Sequence, residues 1–383
     1  MEVIIWGLLI PFPNRDSLAY FLLELIAICG EWPAGLVPIP YSRNYVNNVL
    51  SYLKRIGLVN VYLRDHLRGY RLTAKAKAYL LSENYDRFYL CLTGSVETNQ
   101  TKGELPRRIR LHRLAEIYLF MLQCEVSVFY DTKPLVFTPE KEPLPEITTS
   151  AFYTSREIRQ LGMDAIRIRG ARMAGVLMTP TGVFLTYNCI TGLSKLDFRF
   201  EDRARASIKN AICYERLAHQ YEPEQVCGLM VSADVSAFTQ VIASGNSVLR
   251  NYFLLDGNFT HIYYLTNDRR GIVMFKFLCD SEKTDVFNQI ITQDLYPPDP
   301  YYLFPNDGFD CYGNPVLLGY FLDIPRINRF CMGLRLHQQH GIIICFDFQQ
   351  KMLSDLYGSL ITIQAIDFER FERSFFPSDD TST

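Results

Sequence analysis

The pattern of apolar and polar positions divides the first hundred residues into well-marked elements. Residues 17–29 (SLAYFLLELIAIC) are apolar on nearly every helical face, which predicts a buried helix capped by Asp16 or Ser17 and ended by Gly30. Pro33, Pro38 and Pro40 limit any helix in 31–40 to one short turn. Residues 42–56 (SRNYVNNVLSYLKRI) predict the next helix, with Ser42 as N-cap and Gly57 as terminator. Tyr45, Val46, Val49, Leu50, Leu53 and Ile56 recur at helical spacing and predict its apolar face. Arg43, Asn44, Asn47, Asn48, Ser51, Lys54 and Arg55 form the opposite face. Residues 58–63 and 70–73 read as two strands joined by a turn over 64–69, and Thr73 caps a helix over 74–81.

The order helix, short turn, helix, hairpin, helix matches a winged helix-turn-helix, with the 64–69 turn as the tip of the wing. Polar residues 97–106 read as a linker, and Pro106 opens a helix to Cys124 whose first turns are crowded by Arg107, Arg108, Arg110 and Arg113. Pro134, Pro139, Pro143 and Pro145 mark 131–150 as an irregular connector. Beyond it, 174–178 and 183–189 flank a TPTG turn and predict a hairpin. Residues 197–217 predict a helix, and 228–231, 262–265, 271–278 and 342–348 predict strands. Residues 294–312, rich in Pro, Tyr and Asp, predict a long loop. The expected fold class is α+β or α/β. The expected domains are a winged-helix domain over 1–96, a helix and Pro-rich connector over 97–150, a mixed α/β domain over 151–377, and a disordered tail over 378–383.

Composition narrows the class. Of 383 residues, 48% are hydrophobic and 21% charged, which fits folded domains with sizeable cores. The 24 Tyr and 26 Phe are expected mainly in those cores. The ten cysteines are scattered singly without a CxxC pair, which predicts reduced thiols, no zinc clip and a cytoplasmic location. The apolar residues 1–10 lack a basic flank and are too short to cross a membrane, so they read as a buried strand or docking segment, and no membrane partner is expected. A net charge of −2 conceals an asymmetry: residues 1–120 hold 15 Lys and Arg against 10 Asp and Glu, and the acidic excess follows them. A basic front part suggests an anionic partner.

The chemistry of the 42–56 helix suits double-stranded DNA. Arg43 matches guanine, Asn44, Asn47 and Asn48 match adenine, and Ser51 suits either. Lys54 and Arg55 are placed for phosphates, as are Arg64, His66, Arg68 and Arg71 on the wing and Lys75 and Lys77 after it. Arg107, Arg108 and Arg110 offer a second set of phosphate contacts. A solvated helix face, or a winged helix that binds protein, would carry similar residues.

Four runs extend the reading. YVNNVLSYLKRIGLVNVYLRDHLRGYRLTAKAKAYL, HRLAEIYLFMLQCEV, ARMAGVLMTPTGVFLTYN and EDRARASIKNAI resemble the replication-relaxation family, over roughly the first 220 residues. That resemblance implies a protein of conjugative plasmids or integrative elements of bacteria. It implies a winged helix joined to a domain related to restriction-endonuclease folds, and a relaxase or replication protein as partner. Such nucleases place an Asp on one hairpin strand and Glu-x-Lys on the next, to hold Mg²⁺ and assist the attacking water. Here 174–178 (AGVLM) holds no acid and 184–189 (FLTYNC) neither Glu nor Lys. Lys195 and Asp197 follow outside that frame, and Glu157 and Asp164 lie upstream. A degenerate, pseudo-nuclease domain is therefore expected, with no catalytic residue, metal or cofactor. GxGxxG, Walker and GxSxG motifs are absent from the sequence, as is an HUH cluster. The pair His337 and His340 would fit one side of a helix, and Asp307, Asp310 and Asp323 read as loop turns. The leading expectation is a non-catalytic, sequence-specific DNA-binding protein of a mobile element, acting at an origin of transfer or replication. The alternatives are a divergent Mg²⁺-dependent endonuclease, and a transcriptional regulator with a rear sensor domain and a homodimeric, palindrome-binding form.

Overall fold

The computed structural model describes residues 4–5, 8–9, 12–139, 144–162, 166–190, 198–236, 238–239, 242 and 259–377. The chain is mixed α+β and divides into two compact units, Met1–Lys133 and Pro134–Thr383.

In the first unit, a two-stranded pair β1 (Ile4–Ile5) and β2 (Leu8–Leu9) precedes α1 (Leu18–Cys29). Ser17 caps α1 by accepting from the Tyr20 amide, as its position predicts. Leu22, Leu23, Leu25 and Ile26 are fully buried, because α1 packs against the helices around it and has no solvent face to keep polar. A short strand β3 (Trp32–Pro33) follows, in the Pro-rich segment where at most one helical turn is expected. Then come α2 (Arg43–Arg55), β4 (Val59–Arg64), β5 (Leu67–Leu72), α3 (Ala74–Glu83), α4 (Tyr85–Leu92) and α5 (Leu105–Gln123). The strands form one antiparallel sheet in the order β3-β5-β4. Helix α5, expected in a connector, packs on α1 and β3 inside this unit.

The second unit begins its sheet with β6 (Ala151–Thr154), followed by the short α6 (Ser155–Ile158). The expected hairpin is β7 (Gly175–Thr179) and β8 (Gly182–Cys189). Helix α7 (Phe198–Lys209) widens into a π-turn over Asn210–Arg216, then leads to β9 (Val226–Ser232) and β10 (Ile262–Thr266). The five strands run β10-β9-β8-β7-β6; β6, β7 and β8 are antiparallel neighbours, and β8, β9 and β10 are parallel.

Residues 271–278, expected as a strand, lie within helix α8 (Arg269–Cys279). The apolar run suits either element, and Asp268 decides it by accepting from the Gly271 amide at 2.9 Å as an N-cap. Helix α9 (Ser281–Thr292) leads through a Pro-rich segment to β11 (Gly308–Phe309) and β12 (Pro315–Leu318). Helix α10 (Ile324–His337), β13 (Gly341–Phe346), α11 (Asp347–Tyr357), β14 (Ile361–Ile366) and α12 (Phe368–Phe375) complete the chain. The strand expected over 342–348 thus stops at Phe346. The second sheet runs β11-β12-β13-β14, with β12, β13 and β14 parallel. One hydrophobic core joins inward residues of both sheets, from Val176 and Leu185 to Leu317 and Ile343. All ten cysteines are free thiols. Among the described residues, no helix is long and apolar enough to cross a membrane.

Candidate nucleic-acid interface

Helix α2 starts where Ser42 Oγ accepts from the Tyr45 amide at 3.3 Å, and it ends before Gly57, whose φ of 73° suits glycine. Val46, Leu50 and Leu53 anchor it in the core. Arg43, Asn44, Asn47, Asn48, Ser51, Lys54 and Arg55 are all exposed. At about 100° per residue, they share an arc of about 140°. Asn44, Asn47 and Ser51 occupy its middle, Arg43 and Lys54 one border, and Asn48 and Arg55 the other. Their side chains make no hydrogen bond or ion pair with other described residues; Arg55 lies over the Tyr52 ring, 5.6 Å from its centre. Asparagine is a poor helix former, by roughly 0.5–0.7 kcal/mol against alanine. Three exposed asparagines therefore cost helix stability and return no packing. Tyr45, expected on the apolar face, is 51% exposed. It falls at the edge of that face, where its ring meets Tyr41 at 5.9 Å.

The turn between β4 and β5 is tighter than the expected 64–69 span. It consists of Asp65 and His66 alone, both left-handed (φ 52° and 59°), which is the geometry of a type I′ hairpin. Its tip exposes Arg64, His66 and Arg68. Arg64 approaches Asp65 at 3.6 Å, and Arg68 lies over Tyr70.

Beneath the hairpin sits a buried ionic cluster that sequence reading missed. Glu31 has a side chain with no exposed surface. Its Oε1 accepts from Arg108 Nη2 at 2.6 Å and His112 Nε2 at 2.8 Å, and its Oε2 from Arg71 Nη2 at 2.6 Å. Burial opposes ionisation of Glu31, but the bonds from His112, Arg108 and Arg71 outweigh it and hold the carboxyl at about 2. Arg108 also donates to the carbonyls of Tyr62, Arg64 and Leu67, on both strands beside the tip. The guanidinium groups of Arg71 and Arg108 both lie over the Tyr62 ring, 3.8 and 4.7 Å from its centre. Gly69 passes so close that a Cβ there would stand 2.3 Å from Glu31 Oε1. The cluster thus fixes the hairpin to α5. Its only sequence signal was four chargeable residues with no local pattern.

This geometry removes two expected phosphate contacts. Arg108 is wholly buried, and Arg71 spends its guanidinium on Glu31 and the carbonyls of Thr101 and Lys102. Lys77 is half-buried against Asn99 and donates to its side-chain oxygen at 3.0 Å. Lys75 rests over Phe12, 5.3 Å from the ring centre. Arg107 pairs with Glu104 at 2.9 Å, and Arg110 with Glu97; both pairs are at the surface, where such bonds are weak and exchangeable.

Among the described residues, the second unit brings together no comparable site. Every residue of β7 and β8 is buried, and neither strand holds an acid or a lysine. Glu157 is buried in a capping box, its Oε2 accepting from the Thr154 amide at 2.8 Å and hydroxyl at 3.0 Å. Asp164, Lys195 and Asp197 lie outside the described residues. His337 and His340 do not share a helical face: α10 ends at His337, Gln338 is left-handed, and His340 bonds Thr362. Asp310 closes a turn on the Tyr312 and Asn314 amides, Asp307 binds Arg326 at 2.5 Å, and Asp323 meets His261 at 2.6 Å. Among the described residues, no group of three His, Cys, Asp or Glu is placed to hold a metal ion. Compared with known proteins, the chain matches no family model, no curated protein and no solved structure.

Proposed function

We infer that this chain is a non-catalytic, sequence-specific double-stranded DNA-binding protein whose first unit is a winged-helix module. One observation carries the reading: α2 offers a continuous polar face whose amides and cations make no hydrogen bond or ion pair with other described residues. A helix of this kind presents hydrogen-bonding side chains to base edges in the major groove, while a hairpin meets the backbone. Arg43, Lys54, Arg55, Arg64, His66 and Arg68 are the reachable basic contacts, with Arg107 and Arg110 at a second place. Support also comes from the helix–strand–helix–hairpin–helix order and from the cluster that braces the hairpin.

The second unit then acts as a structural or partner-binding part, a restriction-endonuclease-like domain that has lost its metal site. Its buried, acid-free hairpin supports that reading. The resemblance of its sequence to the replication-relaxation family supports a role in a bacterial mobile element, in replication or conjugative transfer, with a relaxase or replication protein as partner.

The test is binding of the full chain to fragments of duplex DNA from its own element, across a salt series, with and without Mg²⁺. Binding to one fragment that weakens as salt rises, with the DNA left intact, supports the proposal. Arg43→Ala or the Lys54→Ala/Arg55→Ala pair should each weaken it, the pair lowering the salt slope by about 1.8. Failure to bind any fragment at low salt, or Mg²⁺-dependent cleavage, overturns it.

A further inference from the structure

The geometry points to adenine as the base that α2 reads: the cognate site carries A·T pairs at its centre, and N6-methylation of those adenines blocks binding. This rests on the DNA-binding reading above. The middle of the exposed arc holds carboxamides and a hydroxyl, and the cations stand at its borders and ends. Arg43 and Lys54 are separated by about 16 Å along the axis, more than the roughly 12 Å width of the major groove. Cations at those places meet the phosphates on the groove rims, and the neutral amides lie over the base edges. Asn44 to Asn48 covers about 6 Å of axis, about two base-pair steps.

A carboxamide matches adenine and no other base in both its bonds. Its oxygen accepts from adenine N6–H, and its NH₂ donates to N7. Guanine offers only acceptors there, so the amide oxygen would face another oxygen. Adenine N6 has two hydrogens, one of which pairs with thymine. A methyl group on N6 therefore takes the position of the hydrogen that faces the groove. The asparagine oxygen loses its donor and meets a methyl. No rearrangement inside the chain has to free these side chains, since no described residue holds them.

The experiment is selection by the full chain from short duplexes randomised over their centre, followed by anisotropy titration of the recovered duplex. The recovered site should contain adjacent adenines. Replacing them with N6-methyladenine should weaken binding about tenfold or more. Asn44→Ala/Asn47→Ala should bind the two duplexes within about twofold of each other, because the amides at the middle of the arc that sense the methyl are gone. Alanine raises helix propensity at exposed sites, so circular dichroism should show an intact helix. Recovery of adenine-free sites, or a methylation effect below about twofold in the native chain, overturns the inference and leaves the DNA-binding reading standing. Enrichment of no duplex at all overturns both.

Discussion

In the β4–β5 hairpin, exposed and buried residues are mixed, and the tip is a charged two-residue turn. In the β7–β8 hairpin every residue is buried, and the strand sequences GVLMT and GVFLTYNC carry no charge. The first hairpin is an edge feature held by side chains from beneath. The second is the middle of a five-stranded sheet with core on it. A hairpin enclosed in that way cannot present a hydrated cation and carboxylates to DNA, whereas an edge hairpin braced by buried ions presents its tip at a fixed angle. The difference leaves charged side chains at the tip of the first hairpin and none on the strands of the second.

Breaking the brace should have the largest effect. Arg108→Ala leaves Glu31 buried with fewer partners and takes a side-chain donor from the Tyr62, Arg64 and Leu67 carbonyls. A loss of about 3–5 kcal/mol in the first unit's unfolding free energy is expected, measured by denaturant titration of the full chain. A loss below about 1 kcal/mol would mean that the hairpin stands without the cluster.

The core hairpin should follow closely. Leu185→Ala, at a fully buried position, should cost about 2–5 kcal/mol in the second unit. The DNA binding proposed for the first unit should remain within about twofold; a large loss would show that the core hairpin takes part in it.

Acid should act on the brace and not on the core hairpin. The folded Glu31 carboxyl, at about 2, lies below its ordinary value of 4.5. Between these values the unfolded chain binds more protons, so the contribution of Glu31 is complete above pH of about 4.5 and is lost as pH falls toward about 2. Glu31→Gln should flatten stability against pH in that window. An unchanged slope would assign acid sensitivity to other carboxylates.

The smallest structural effect belongs to the α2 surface. Ser42→Ala removes the cap and should cost about 1 kcal/mol, while Asn47→Ala should be neutral or slightly stabilising in thermal unfolding. If Asn47→Ala destabilised by more than about 1 kcal/mol, that side chain would have a structural role, and the polar face could not be read as a free surface.

Much of the first unit was legible because its signals are local. Ser17, Ser42 and Thr73 cap where their spacing to the apolar run says they should, and Val46, Leu50 and Leu53 mark the inner face of α2. The second unit was legible only in part. Strand β13 is a continuous apolar run, as suits a strand enclosed on both faces, but β14 mixes polar and apolar positions and gave no such sign. Helix α8 shared its apolar run with the strand alternative, and the choice rested on a cap at Asp268. In the candidate interface, sequence separated the faces of α2 and did not separate Arg43 from Arg108: both are arginines near a helix start.

The sequence by itself determined α1, α2, the β4–β5 hairpin, α3 and α5 of the first unit, the polar face of α2 and the acid-free strands of the second hairpin, since each depends on residues within a turn or a strand of one another; β3 and α4 it did not mark. Tertiary structure alone decided which cations remain at the surface. Glu31, Arg71, Arg108 and His112 stand up to 81 residues apart in the chain, and a buried carboxylate gathers the partners that its charge requires wherever the fold brings them.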